Sequence, residues 1–397
     1  MKKTLAIICS ITLFAGILTG CSKNGESSTA PDSDSVPPVT EQTAPETPVR
    51  EPVEVADNAI DFVKSLKLGW NIGNTLDATA GSGLSSETSW GQPTITPELL
   101  DYVAEAGFTS VRIPVSWGKH TDENYNIDPE WMARVTEVVN YALDSGLYVI
   151  LNSHHDCDYY YPSEEKLDNS EKFIATLWKQ IAENFKDYDE RLVFESMNEP
   201  RLTGTNKEWW FADNDAEGVA SIQCIVKLNQ VFVDTVRATG GVNATRYLMV
   251  PSNAASAGNA LNSAFTMPTD PAGTGRLIVS IHAYTPYDFA MNKNGYSNWN
   301  EKREKEFNFM DQLNDKFIAN GYGVVIGEFG ATNKDNLDDR IAWAKAYTEK
   351  AAGLGISCFL WDNAGIKVGE ENFGMIDRRN YSLFFPKLLD AMTSSYN

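Results

Sequence analysis

Histidine is scarce in this chain, four residues in 397, and no stretch clusters Lys and Arg. Acidic groups outnumber basic ones 54 to 33, for a formal net charge of −21. A surface of that sign repels phosphate backbones, so no nucleic acid is expected as a partner, and a neutral substrate suits it better than an anionic one. Cysteine is nearly absent from the body, with Cys157, Cys224 and Cys358 there and Cys9 and Cys21 near the N-terminus. An odd number without C-x-x-C spacing gives neither a disulfide framework nor a zinc motif. Buried free thiols are expected, with one bridged pair left open. No G-x-G-x-x-G follows an early strand-like run, which argues against an open dinucleotide-binding sheet.

The N-terminus does hold an ordered pattern. "MKK" is positive, "TLAIICSITLFAGI" is apolar and "LTGC" is small-residue-rich. The apolar run is too short for a membrane span and reads as an export signal over residues 1–20. Leu18-Thr19-Gly20-Cys21 resembles the bacterial lipobox. That resemblance implies a lipidated Cys21 and a protein held at the cell surface by its lipid, without a transmembrane span. Residues 21–55 carry six prolines among Ser, Thr and Glu. They bury too little to fold and read as a semi-rigid tether. The body, 56–397, is the length of one large domain.

Eight short apolar runs recur through that body: "LKLGWNIG", "SVRIPVSW", "YVILNSHHD", "LVFESMNEP", "YLMVPSN", "LIVSIHAY", "GVVIGEFGA" and "SCFLWDNAG". Amphipathic stretches such as 96–107, 128–146 and 340–355 separate them, each ending at a Gly suited to a helix C-cap. Eightfold strand–helix alternation predicts an α/β fold, a (β/α)8 TIM barrel in a single domain.

Six of the runs end in polar or aromatic side chains: Asn71, His154 with His155, Asn198 with Glu199, His282 with Tyr284, Glu328, and Trp361. In such a barrel those ends share one mouth, where active sites are built. Two carboxylates across a cleft, Glu199 and Glu328, are the minimum equipment for glycoside hydrolysis. Strict alternation puts Val324 and Ile326 on the same face as Glu328, and Met197 with Glu199, so both acids are expected inside. Arg112 is expected to pair with Glu328, with Glu195 as an alternative or additional partner. Glu195 itself, four residues deeper than Glu199, reads as a buried structural acid. His154, His282 and Tyr284 are placed in the cleft; His155 has the opposite parity and enters only if its loop turns inward. His154 and His155 are adjacent rather than at metal-ligand spacing, so no metal and no cofactor are expected. No strand end carries a Lys for Schiff-base chemistry.

"LVFESMNEPR" and "VVIGEFG" resemble the fourth and seventh strands of glycoside hydrolase family 5. The likeness extends through "LGWNIGNTLDA", "VRIPVSW", "SIHAY" and "FLWDN". "GWNIGNTLDA" with "NSHHD" resembles the bacterial endoglucanase branch that includes xyloglucan and mixed-linkage glucan hydrolases. The resemblance implies that Glu199 is the acid/base, protonated near neutral pH, and Glu328 the nucleophile of a retaining endo-β-1,4-glucanase. It further implies that Asn198 binds the sugar 2-hydroxyl and that Trp361 is the platform beneath the reacting sugar. Asn71, Arg112, His154, His155, His282 and Tyr284 complete the implied substrate-binding set. Trp70, Trp90, Trp117, Trp209, Trp210 and Trp299 are further stacking candidates, with one of Trp209 and Trp210 expected at the cleft. A xyloglucanase, lichenase or mannanase shares this chemistry, since loops choose the polymer. A glycan-binding lipoprotein without activity would have lost a carboxylate. A monomer acting on β-glucan is expected. Palmitate labelling in the native host checks the anchor: Cys21→Ser is expected to abolish incorporation.

Overall fold

Runs rich in Val, Ile, Leu and Phe that are apolar on both faces bury both sides, as parallel strands under a helical layer do. The computed structural model describes residues 55–369 and 371–397. The export segment, Cys21 and the tether as far as residue 54 lie outside them. Within them β1 (Leu68–Ile72), β2 (Ser110–Ile113), β3 (Tyr148–Asn152) and β4 (Leu192–Glu195) are followed by β5 (Leu248–Ser256), β6 (Leu277–His282), β7 (Gly323–Phe329) and β8 (Ser357–Asp362). They pair in sequence order and close, β8 against β1, into a parallel barrel. The expected (β/α)8 architecture is therefore correct.

The helices begin and end where local chemistry dictates. Thr96 and Asp128 accept backbone N–H groups at the starts of Pro97–Glu105 and Pro129–Asp144, each with proline in the first turn. Gly107, Gly146 and Gly355 take left-handed φ of 105°, 80° and 73° just past three helix ends. Outward-facing Val111, Val149, Leu151, Phe194, Val324 and Ile326 pack with helix residues such as Leu100, Val139 and Trp178 in one apolar layer.

A second, smaller core fills the bottom of the barrel: Ile150, Val193, Met249, Ile278, Val325 and Phe359. The helix Ala59–Leu66 plugs that end with Phe62, Val63 and Leu66. Phe62 stacks on Tyr247, centroids 3.9 Å apart. Gly69 lacks a side chain because Phe359 occupies that space; a Cβ there would lie 2.2 Å from its ring.

This layering corrects the expected alternation. Val325, not Val324 or Ile326, faces the barrel interior. Glu328 nevertheless points inward because β7 carries an extra residue: Ile281 pairs Ile326, but His282 pairs Glu328. A Cβ on Gly327 would also face inward, against Met249, Ser280 and His282. Two consecutive positions thus share one face, as a β-bulge requires. Met197 likewise packs in the outer layer, apart from Glu199, because β4 ends at Glu195 and the chain turns to bring Asn198 and Glu199 together at the mouth. Phe62→Ala, which empties the plug, is expected to cost about 3–5 kcal/mol of stability, read from urea unfolding.

Candidate active site

Arg112, on β2, has no exposed surface. Its Nε donates to Glu195 Oε2 at 2.6 Å, and its Nη1 to Asn71 Oδ1 and Glu328 Oε1, both at 2.9 Å. Its Nη2 donates to Asn198 Oδ1 at 2.7 Å. Both anticipated partners are therefore engaged at once. Burial favours loss of the guanidinium proton, but the charges of Glu195 and Glu328 outweigh it and raise the pKa above the ordinary Arg value. Glu195 Oε1 accepts from the Ser280 hydroxyl at 2.6 Å, so both of its oxygens are used deep in the barrel. Asn71 donates to the carbonyl of Gly327 at 2.8 Å, pinning the bulge. Asn71 and Arg112 were expected at the substrate, but both are fully buried and neither lines the cleft. They support the groups that do.

Above this layer opens a cleft of about 1030 Å³, lined among others by His154, His155, Asn198, Glu199, His282, Tyr284, Glu328 and Trp361. Glu328 accepts from Arg112 on one oxygen and from the Tyr284 hydroxyl, 2.9 Å away, on the other. Glu199 Oε1 lies 2.7 Å from His282 Nδ1, and its Oε2 lies 3.6 Å from Arg201. Oxygens of the two carboxylates and a nitrogen of His282 fall within 4.8 Å of one another. Asn198 gives its amide oxygen to Arg112, which leaves its NH2 end for the cleft.

The protonation pattern differs from the simple expectation of a protonated Glu199 beside an ionised Glu328. Burial would raise Glu199, but the hydrogen bond and charge of His282 outweigh it and hold the carboxyl below its ordinary value. Glu328 is raised, chiefly by burial and further by the charge of Glu199, against the pull of His282 and Arg112. Burial would lower His282, yet the two carboxylates raise it above 6.5. The physical reason is sharing: Glu199 and His282 hold one proton between them across 2.7 Å. Burial first, then the Glu328 charge, pushes the Tyr284 phenol well up, so it remains a donor.

His154 has a fixed tautomer. Asn152 Oδ1 accepts from Val115 N–H at 3.2 Å, which turns its NH2 toward His154 Nδ1 at 3.1 Å. Nδ1 must then accept, and the ring proton sits on Nε2. Burial holds this ring neutral, its pKa well below 6.5. His155 also lines the cleft, its side chain 38% exposed. Burial opposes its charge, but Asp77 outweighs burial and raises its pKa. Donor atoms of Asp77, His154 and His155 cluster within 4.8 Å. That set suits a metal poorly, since Asp77 already accepts from Asn74 and Thr75 and His154 has no free lone pair.

Trp361 lies parallel to His154, interplanar angle 1°, and Gly73 leaves room for it: a Cβ there would sit 2.8 Å from the indole. Trp90, Trp209 and Trp210 all line the cleft, so both members of the tryptophan pair do. Trp70 and Trp117 are buried in the core and Trp299 packs against Phe307, so these three candidates belong to packing. Cys157, Cys224 and Cys358 are free and buried.

Sequence reasoning overlooked Arg201, Asn152, Ser280 and the wall formed by Ala254, Ser256 and Gly258. Arg201 stood in the quoted "NEPR" segment; an Arg two residues from a strand-end Glu was the available signal. Nothing local marks the others, because their roles come from strand register.

The model of the family described as cellulase (glycosyl hydrolase family 5) matches residues 76–366. The chain is 43% identical over 349 residues to an endoglucanase B of Ruminococcus albus, covering 87% of this chain and 82% of that one. Its fold is similar to a family 5 lichenase from Caldicellulosiruptor sp. F32 in complex with cellotetraose, at TM-score 0.83 and 42% identity, over 89% of this chain and 100% of that one. A broad-specificity endoglucanase of Ruminococcus champanellensis with bound cellotriose is similar at TM-score 0.81 and 41% identity, over 86% and 100%.

Arg112→Met is expected to destabilise the fold by about 3–5 kcal/mol near pH 7, because two buried carboxylates lose their cation. Without Arg112, Glu328 rises further above its unfolded value, so the folded state binds more protons and stability falls as pH rises through that range. Urea unfolding at pH 5 and 7 is expected to show the smaller deficit at pH 5.

Proposed function

The chain belongs to glycosyl hydrolase family 5, and from that premise we propose that it is a retaining endo-β-1,4-glucanase that works by double displacement. The observation that carries the reading is the pair of cleft-facing carboxylates, with oxygens within 4.8 Å. Retention needs carboxyls about 5–5.5 Å apart, whereas inversion leaves about 6.5–9.5 Å for a water between them.

Glu328 is the nucleophile. Arg112 and Tyr284 each donate to one of its oxygens, which orients the carboxylate toward the anomeric carbon. Glu199 delivers the shared proton to the leaving oxygen as the C–O bond breaks, and His282 holds that proton in reserve. Once the glycosyl ester forms, Glu328 carries no charge and Glu199 takes a proton from water, which attacks the anomeric carbon as its bond to Glu328 breaks and the Glu328 carboxylate leaves. Asn198 offers its NH2 to the 2-hydroxyl, a bond that strengthens as the ring gains oxocarbenium character. His154 Nε2–H donates to a sugar hydroxyl while Trp361 supports the apolar face of the ring.

A mixed-linkage glucan is a second substrate, supported by the similarity to a lichenase and to a broad-specificity endoglucanase. The same reading places the enzyme at the cell surface on a lipidated Cys21, supported by the order of charges and small residues in positions 1–21.

Activity on carboxymethylcellulose, lichenan, xyloglucan, glucomannan and xylan tests the substrate class. Turnover of the β-1,4-glucans is expected, and inactivity on every one of them would refute it. Glu328→Gln is expected to abolish turnover, and Glu199→Gln to reduce kcat by about 10²–10⁴-fold, the usual worth of a general acid. The pH profile of kcat/KM is expected to be bell-shaped. Raised Glu328 sets its acid limb above the ordinary carboxylate value of 4.5, and raised His282 sets its alkaline limb above 6.5. In His282→Asn the proton has only Glu199 to hold it, so the alkaline limb moves to lower pH.

A further inference from the structure

Arg201 follows Pro200 in the segment after β4, lines the cleft and has no part in the chemistry above. Its Nη1 donates to the backbone carbonyl of Glu199 at 3.0 Å, lies 3.6 Å from Glu199 Oε2 and touches Cys157 Sγ at 3.3 Å. Its Nε donates to Glu208 Oε1 at 3.1 Å. The other Glu208 oxygen accepts from Gly204 N–H at 3.0 Å, so this ion pair also closes the turn leading to Trp209. The guanidinium then lies over the Trp209 ring, 4.1 Å from its centroid. Trp209 remains 57% exposed at the cleft wall, leaving indole surface for another planar or apolar face. One cation therefore touches both the proton-donating carboxyl and an aromatic surface open to substrate.

Resting on the assignment of Glu199 as proton donor, we propose that Arg201 is a positioning residue that couples occupancy of Trp209 by a sugar ring to proton delivery from Glu199. A pyranose stacked on Trp209 fixes the indole and, through the cation–π contact, the guanidinium. It also displaces water from the rim, where the attraction between Arg201 and Glu199 is otherwise screened. A firmer cation beside Glu199 stabilises the carboxylate that remains when the proton leaves, so the acid is stronger when that side of the cleft is filled. The proton passes from Glu199 to the glycosidic oxygen as its bond to the anomeric carbon breaks, and Arg201 keeps its own protons throughout. The other groups facing Glu199 are His282 from β6, Glu328 from β7, and His155 and Cys157 from the segment after β3. Tyr160 and Glu208 complete the charged or titratable surroundings of Arg201.

The test compares glycosylation rates at saturating cellohexaose, whose leaving group needs a proton, with those on 2,4-dinitrophenyl β-cellobioside, whose leaving group does not. Arg201→Met and Trp209→Ala are each expected to slow cellohexaose about tenfold, the double variant no further, and the aryl substrate by less than about twofold. The alkaline limb of Arg201→Met on cellohexaose is expected to move to higher pH, because Glu199 has lost a cation. Multiplicative losses in the double variant, or equal losses on both substrates, would overturn the coupling. Glu199→Gln is run alongside. If it slows both substrates alike, the assignment of Glu199 fails and takes the coupling with it. If Glu199→Gln separates the substrates while Arg201→Met does not, the coupling alone fails.

Discussion

A guanidinium sealed inside a barrel must have every N–H directed at an acceptor, because an unpaired buried charge costs several kcal/mol. Arg112 directs four of its five N–H groups at oxygens from β1, β4, the segment just after it and β7, and its Nη2 also lies 3.5 Å from His282 Nε2. Each acceptor is thereby fixed. Glu195 becomes a structural counter-ion, Asn71 passes the constraint to the carbonyl of Gly327, Asn198 is turned with its NH2 outward, and Glu328 is aimed across the mouth. Four elements far apart in sequence are held in register by one side chain.

The two carboxylates at that mouth differ in the kind of partner each has. Glu328 accepts hydrogen bonds from a cation that never titrates and from a phenol held neutral by burial, with His282 farther off at 3.6 Å. Glu199 is held by His282, which does titrate. A fixed partner suits a group that must stay oriented through bond formation. A titrating partner suits a group that must give up a proton and take one back. The same barrel wall thus supplies the kind of partner that each proposed role needs.

Much of this was legible in the chain. Eight apolar runs gave eight strands, and their polar ends gave the cleft, because burial and strand-end exposure are local properties. Alternation failed at two places. Strand parity assumes an unbroken ladder, and neither the bulge at Gly327 nor the departure from the strand after Glu195 has a period of its own. Asn71 and Arg112 look like strand-end residues but sit one layer too deep to meet substrate, since depth depends on barrel stagger. The link from Arg201 to Trp209 runs through a turn closed by Glu208, and no motif records it.

The central claim is that Glu199 and Glu328, delivered from opposite walls to within 4.8 Å, act by double displacement. Proton NMR of a cello-oligosaccharide digest, recorded before mutarotation, tests it most directly. The account predicts that the first-formed reducing ends are β-anomers. An α-anomer appearing first would contradict it.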